Sequence, residues 1–175
     1  MALTAACGTT ESPSAAPSSS SAETAAEIPT VPGLEAEAVR LRTDEAIGGQ
    51  FQVRITDTGD DDFTVTSVAL DSPGFAAVPA SAETAEFTPG RVIDLPTPYG
   101  DPVCDAEPLP AAARLTVVRP GGAEETVRAP LSAEVLAVIH DEECAVLAVA
   151  ELADVAVSGL SDDGDALTGS LTLTR

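Results

Sequence analysis

Short runs in which apolar and polar side chains alternate, each cut off by an acidic or glycine-rich turn, constrain the fold of this chain more than any other feature. Over residues 38–42 and 51–56, Val39, Leu41, Phe51, Val53 and Ile55 fall on one side, and Arg40, Arg42, Gln52 and Arg54 on the other. Successive strand residues point to opposite faces, so a period of two marks a half-buried antiparallel sheet rather than a helix. The segment Asp57-Thr58-Gly59-Asp60-Asp61-Asp62 carries turn chemistry and predicts a hairpin. Alternation resumes over 63–70, setting Phe63, Val65, Ser67 and Ala69 opposite Thr64, Thr66, Val68 and Leu70. Further strands are expected at 91–95, 114–119 and 125–129, the last two joined by Pro120-Gly121-Gly122.

Residues 132–150 break this rhythm. Ala, Glu and Leu dominate, Ser132 stands where an N-cap is needed, and Val135, Leu136, Ile139, Val146, Leu147 and Ala150 fit one helical face. After the helix, residues 154–159 and 168–174 repeat the form of 38–56, a strand, an acidic turn and a strand led by glycine. This closing hairpin is expected either to complete the first sheet or to open a second β domain that needs further sequence or a partner. Together these signals predict a mainly β fold, an antiparallel Ig-like β-sandwich with one helix near 132–150. The chain has no Trp, and its cysteine spacing is not that of antibody domains, so the likeness is one of architecture only. An apolar share of 44% is a folding composition. No run approaches the ~18 apolar residues of a membrane-crossing helix.

The N-terminus is of another kind. Leu3-Thr4-Ala5-Ala6-Cys7-Gly8 resembles the lipobox of bacterial lipoproteins, with Leu3 one place further from the cysteine than usual and no basic or long apolar part before it. The resemblance implies that Cys7 carries a lipid, and residues 1–7 read as the remnant of a signal whose earlier part lies upstream of Met1. Residues 8–32 are almost wholly Ser, Thr, Ala, Pro and Glu, a composition that cannot bury enough apolar surface to fold. As a flexible tether such a segment would reach ~25–30 Å. The chain therefore divides into a signal remnant (1–7), a tether (8–32), a β-sandwich with its helix (33–153) and a hairpin (154–175). The absence of Lys and Asn beside abundant Ala, Arg and Asp fits a GC-rich genome, and the whole is similar to secreted lipoproteins of actinobacteria. Three cysteines would leave one thiol unpaired in a secreted chain. With Cys7 lipidated, Cys104 and Cys144 can pair in an oxidising compartment, whereas in a reducing one they would be two buried thiols.

Charge and composition exclude several functions. A formal charge of −21 makes nucleic acid an unfavourable partner. A chain without Lys has no Schiff-base lysine and no phosphate-gripping P-loop lysine. His140, the only His, lies in His140-Asp141-Glu142-Glu143-Cys144 with no GxSxG elbow elsewhere, and reads as a helix-surface imidazole among carboxylates. Asp57, Asp60, Asp61 and Asp62 form one acidic knot, and Asp162, Asp163 and Asp165 another. Either could offer oxygen ligands to Ca²⁺, although neither has EF-hand spacing, and no other cofactor is expected. The segment from Pro96 to Cys104 holds the only Tyr between prolines, so Pro98, Tyr99 and Asp101 are the candidate binding loop, with a plain crossover strap as the alternative. The expected function is that of a non-enzymatic, lipid-anchored module on the outer face of the cell membrane, binding or scaffolding envelope components. Its expected partners are the membrane through Cys7 and an envelope protein or a further C-terminal domain. The alternative is a divalent-cation or solute-binding component of an envelope transport system.

Overall fold

The computed structural model describes residues 27–175, so Cys7 and most of the tether lie outside the described residues. The fold is mainly β, with 46% of the described residues in strands and 17% in helices. Three strands, β1 (Leu34–Val39), β2 (Gln50–Asp57) and β5 (Val92–Pro98), form an antiparallel sheet in the order β1-β2-β5. Four more, β3 (Phe63–Asp71), β4 (Ala85–Phe87), β6 (Ala112–Val118) and β7 (Glu124–Pro130), form a second in the order β4-β3-β6-β7. The two sheets share one apolar core. From the first come Phe51, Val53, Ile55 and Leu95, and from the second Phe63, Val65, Leu115 and Val117, all buried. The expected inward set of β2 is thus present, and its outward Arg54 lies in register with Asp94 of β5, clasped at 2.7 and 2.9 Å, whereas Gln52, on the same outer side, is buried.

Several expectations are corrected, each for a local reason. The first strand runs over Leu34–Val39 rather than 38–42, and Leu41 is exposed. A short helix, α1 (Arg42–Ile47), follows it, started by Asp44, whose carboxylate accepts the Leu41 backbone N–H at 2.9 Å as in half of a capping box. The turn after Asp57 is not a hairpin: it carries the chain from one sheet to the other, since β2 and β3 belong to different layers. In β3 the register shifts between Val65 and Ser67. This bulge inserts one residue and re-phases the strand, so Phe63 and Val65 are buried before it and Val68 after it. The Pro120-Gly121-Gly122 hairpin is present, closed by the Gly122 N–H on the Arg119 carbonyl, with both glycines at positive φ. At the other end of the chain, Ile28 is buried and Val31 packs on the core, so residues 28–32 belong to the folded body rather than to the tether.

The predicted helix is α2 (Ala133–Leu152), with Ser132 at the N-cap position, although its hydroxyl makes no capping bond. Leu136 and Ile139 are fully buried against the core, but Val146, Leu147 and Ala150, expected on the same face, are exposed. Only the first half of α2 lies on the body. Beyond it, β8 (Asp154–Asp162) and β9 (Leu167–Thr174) pair with each other and join neither of the larger sheets, and all their residues are exposed.

Candidate functional site

The first half of α2 positions the site. Residues three and four apart share a helical face, and Leu136, Ile139, His140, Glu143 and Cys144 follow that spacing from the core outward. Leu136 and Ile139 bury that face, so His140 is carried inward as well. It is not a surface imidazole as expected: it is 6% exposed, its Nε2 is 3.2 Å from the Val103 carbonyl oxygen, and its ring meets the edge of Phe75 at 5.5 Å. One turn further on, Cys144 is bonded to Cys104, with Cα atoms 5.6 Å apart. The expected pairing is present.

Residues 99–104 run from the end of β5 up to that helix, held at nearly every step. The Tyr99 N–H donates to the Gly49 carbonyl, the Ala76 N–H to the Asp101 carbonyl and the Val103 N–H to the Gly74 carbonyl, at 2.8–3.1 Å. The Tyr99 ring packs on Phe75 at 5.3 Å, and its hydroxyl donates to Glu143 Oε1 at 2.6 Å. Gly100 is needed here because a Cβ on it would stand 2.2 Å from the Ala76 carbonyl oxygen. Burial of the ring first, then the bond to the Glu143 carboxylate and its negative charge, push the Tyr99 hydroxyl up to a pKa of about 12. Of the candidate loop residues, Pro98 closes β5 opposite Gln50, Tyr99 is half-buried and Asp101 is exposed. The segment is a strap fastened to the body. Beside it lies a cleft of about 480 Å³ bordered by Ala77, Val78, Tyr99, Asp101 and Glu143. With two carboxylates on its rim, this hollow suits a small solute that donates hydrogen bonds.

The acidic turns behave differently from a ligand set. Asp57 is 1% exposed and accepts the Gly59 N–H through Oδ1, with Oδ2 unpartnered, whereas Asp60, Asp61 and Asp62 are exposed. Among the described residues no three His, Cys, Asp or Glu side chains converge as metal ligands, so these four aspartates are not brought together. In the second turn, Asp162 accepts the Gly164 N–H, and Asp163 accepts those of Asp165 and Ala166. The Ala166 and Asp165 N–H groups hold the Asp163 carboxyl below the usual aspartate range. Sequence reasoning missed a polar cluster under α1. The buried Asp44 carboxylate accepts the side-chain amides of Gln52 at 2.6 Å and Gln50 at 3.0 Å, besides the Leu41 N–H. Arg40 reaches Glu142 at 2.5 Å, tying the end of the first strand to α2 beside the strap. Comparison of the chain with protein-family models, with curated proteins and with solved structures found no match.

Proposed function

We propose that this protein is a lipid-anchored, extracytoplasmic module: an Ig-like β-sandwich held through Cys7 on the outer face of the membrane of a Gram-positive, high-GC bacterium, where it binds or scaffolds envelope components without catalysis. The observation that carries the reading is the Cys104–Cys144 bond. It uses two of the three cysteines, in keeping with an oxidising compartment, and leaves Cys7 as the odd one in a lipobox-like setting ahead of a segment too polar to fold. The strapped loop, with little entropy left to lose, supports a binding role. The charge of −21 speaks against nucleic acid and sets the body off from anionic lipid, so that a covalent lipid rather than electrostatic attraction would hold it. Expressed from its own locus, the protein is expected to incorporate radiolabelled palmitate, and Cys7→Ala to release it from the membrane fraction. No label, together with unchanged fractionation of the variant, overturns the anchoring.

The carboxylate-rimmed cleft beside Tyr99 supports a second reading, a divalent-cation or solute-binding component of an envelope transport system. A thermal shift on adding millimolar Ca²⁺ or a small cationic solute, abolished in Glu143→Gln, would favour it over the scaffold.

A further inference from the structure

The hairpin β8–β9 is an unpartnered, strongly two-faced sheet. In register, Val155 lies opposite Leu173 and Val157 opposite Leu171, and Leu160 folds over Gly169 on the same side. With Leu167, these make a face of six large aliphatic side chains, each 53–69% exposed. The other face is Ala156, Ser158, Thr168, Ser170 and Thr172. A lone two-stranded sheet is marginal in water, so a hairpin of this kind needs a surface to cover it. The second half of α2 adds Val146, Leu147, Val149 and Leu152, each 46–67% exposed. Ten aliphatic side chains at half to two thirds of full exposure leave apolar surface on the order of the ~800 Å² that each partner gives to a standard interface.

We propose that this arm pairs with the same arm of a second copy of the chain, apolar face on apolar face about a two-fold axis. Residues 1–26 hold only two large apolar side chains, Met1 and Leu3, against the ten on this arm. Val155, Val157, Leu160, Leu171 and Leu173 carry no charge among them. The one carboxylate on this face is Asp162, opposite Leu167 at the turn end, while Asp154 falls on the other face and Asp163 and Asp165 in the turn, so two chains of −21 can bring the middle of these faces together without opposing carboxylates. A two-fold contact needs one self-complementary patch, and an uncharged stripe of Val and Leu meets that requirement. The inference stands whether or not Cys7 carries a lipid.

Light scattering coupled to size exclusion, across two decades of protein concentration, is expected to give twice the 17.6 kDa of the chain. Because the bodies repel each other, the dimer fraction should rise between about 0.05 and 0.5 M NaCl. Val157→Asp and Leu171→Asp should give monomers that keep the melting transition of the body, while Thr172→Asp, on the opposite face, should stay dimeric. Amide exchange across β8 and β9 in the unaltered chain should slow as concentration rises, a readout independent of whether the variants keep their hairpin. A monomer at every concentration and salt, polydisperse aggregates, apolar-face variants that remain dimeric, exchange independent of concentration, or a monomer that floats with phosphatidylcholine vesicles would each overturn the proposal.

Discussion

Asp44 is a carboxylate almost wholly removed from water, and its neighbours decide the sign of its energetics. Burial pushes its pKa up, but the Leu41 N–H and the amides of Gln52 and Gln50 outweigh that and hold it below the usual aspartate range. A carboxyl depressed in the folded state stabilises above its unfolded value of about 3.9, and the contribution drains away as pH falls through the folded value. Asp44→Ala leaves three donors unpaired and should cost about 1–3 kcal/mol in urea unfolding at pH 7, with a shallower loss of stability on acidification. Tyr99 has the opposite sign. Its raised pKa favours the fold at pH below about 10, and that contribution is lost as pH climbs toward about 12. Ultraviolet titration of this lone tyrosine should therefore show a late transition, and Glu143→Gln should move it earlier. Neither group was legible in the sequence as a structural centre. Asp44 depends on the register that sets Gln50 and Gln52 under α1, and Tyr99 on a helix residue 44 positions away.

At the scale of elements, periodicity was a good guide to what forms and a poorer one to what is buried. The alternation of β2 and the helix at 133–152 were both readable, because each rests on local side-chain direction. The re-phasing of β3 was not, since one inserted residue exchanges inner and outer faces while the composition stays that of a strand. For α2, a continuous apolar stripe was visible, but the body beneath it ends after its third turn, at Cys144. Leu136→Ala or Ile139→Ala should accordingly cost about 2–5 kcal/mol, whereas Val146→Ser should leave the chemical melting of the body within about 0.5 kcal/mol of the parent. The candidate loop was readable from its prolines and single tyrosine. Its role as a strap needed the carbonyls of Gly49 and Gly74 and the N–H of Ala76 to be in place.

For the whole molecule, mainly β character and the cysteine bond follow from the sequence, while the division of the strands into two sheets does not. An acidic turn looks the same whether it closes a hairpin or crosses between layers, and the 57–62 segment crosses. The Cys104–Cys144 bond closes a loop with a sequence separation of 40. Reduction, or paired Cys→Ser replacement, should lower the unfolding free energy by about 4 kcal/mol in the chain-entropy view. The same closed loop contains β6, β7 and the start of α2, and so has a mechanical meaning. If the chain is fixed at its N-terminus and pulled at its C-terminus, tension entering α2 passes straight from Cys144 to Cys104 and leaves the enclosed hairpin slack. Single-molecule stretching of the oxidised protein should come up short of the reduced one by about 130–145 Å of extended chain, so that one covalent bond makes the middle of the domain a segment no steady pull on the ends can draw out.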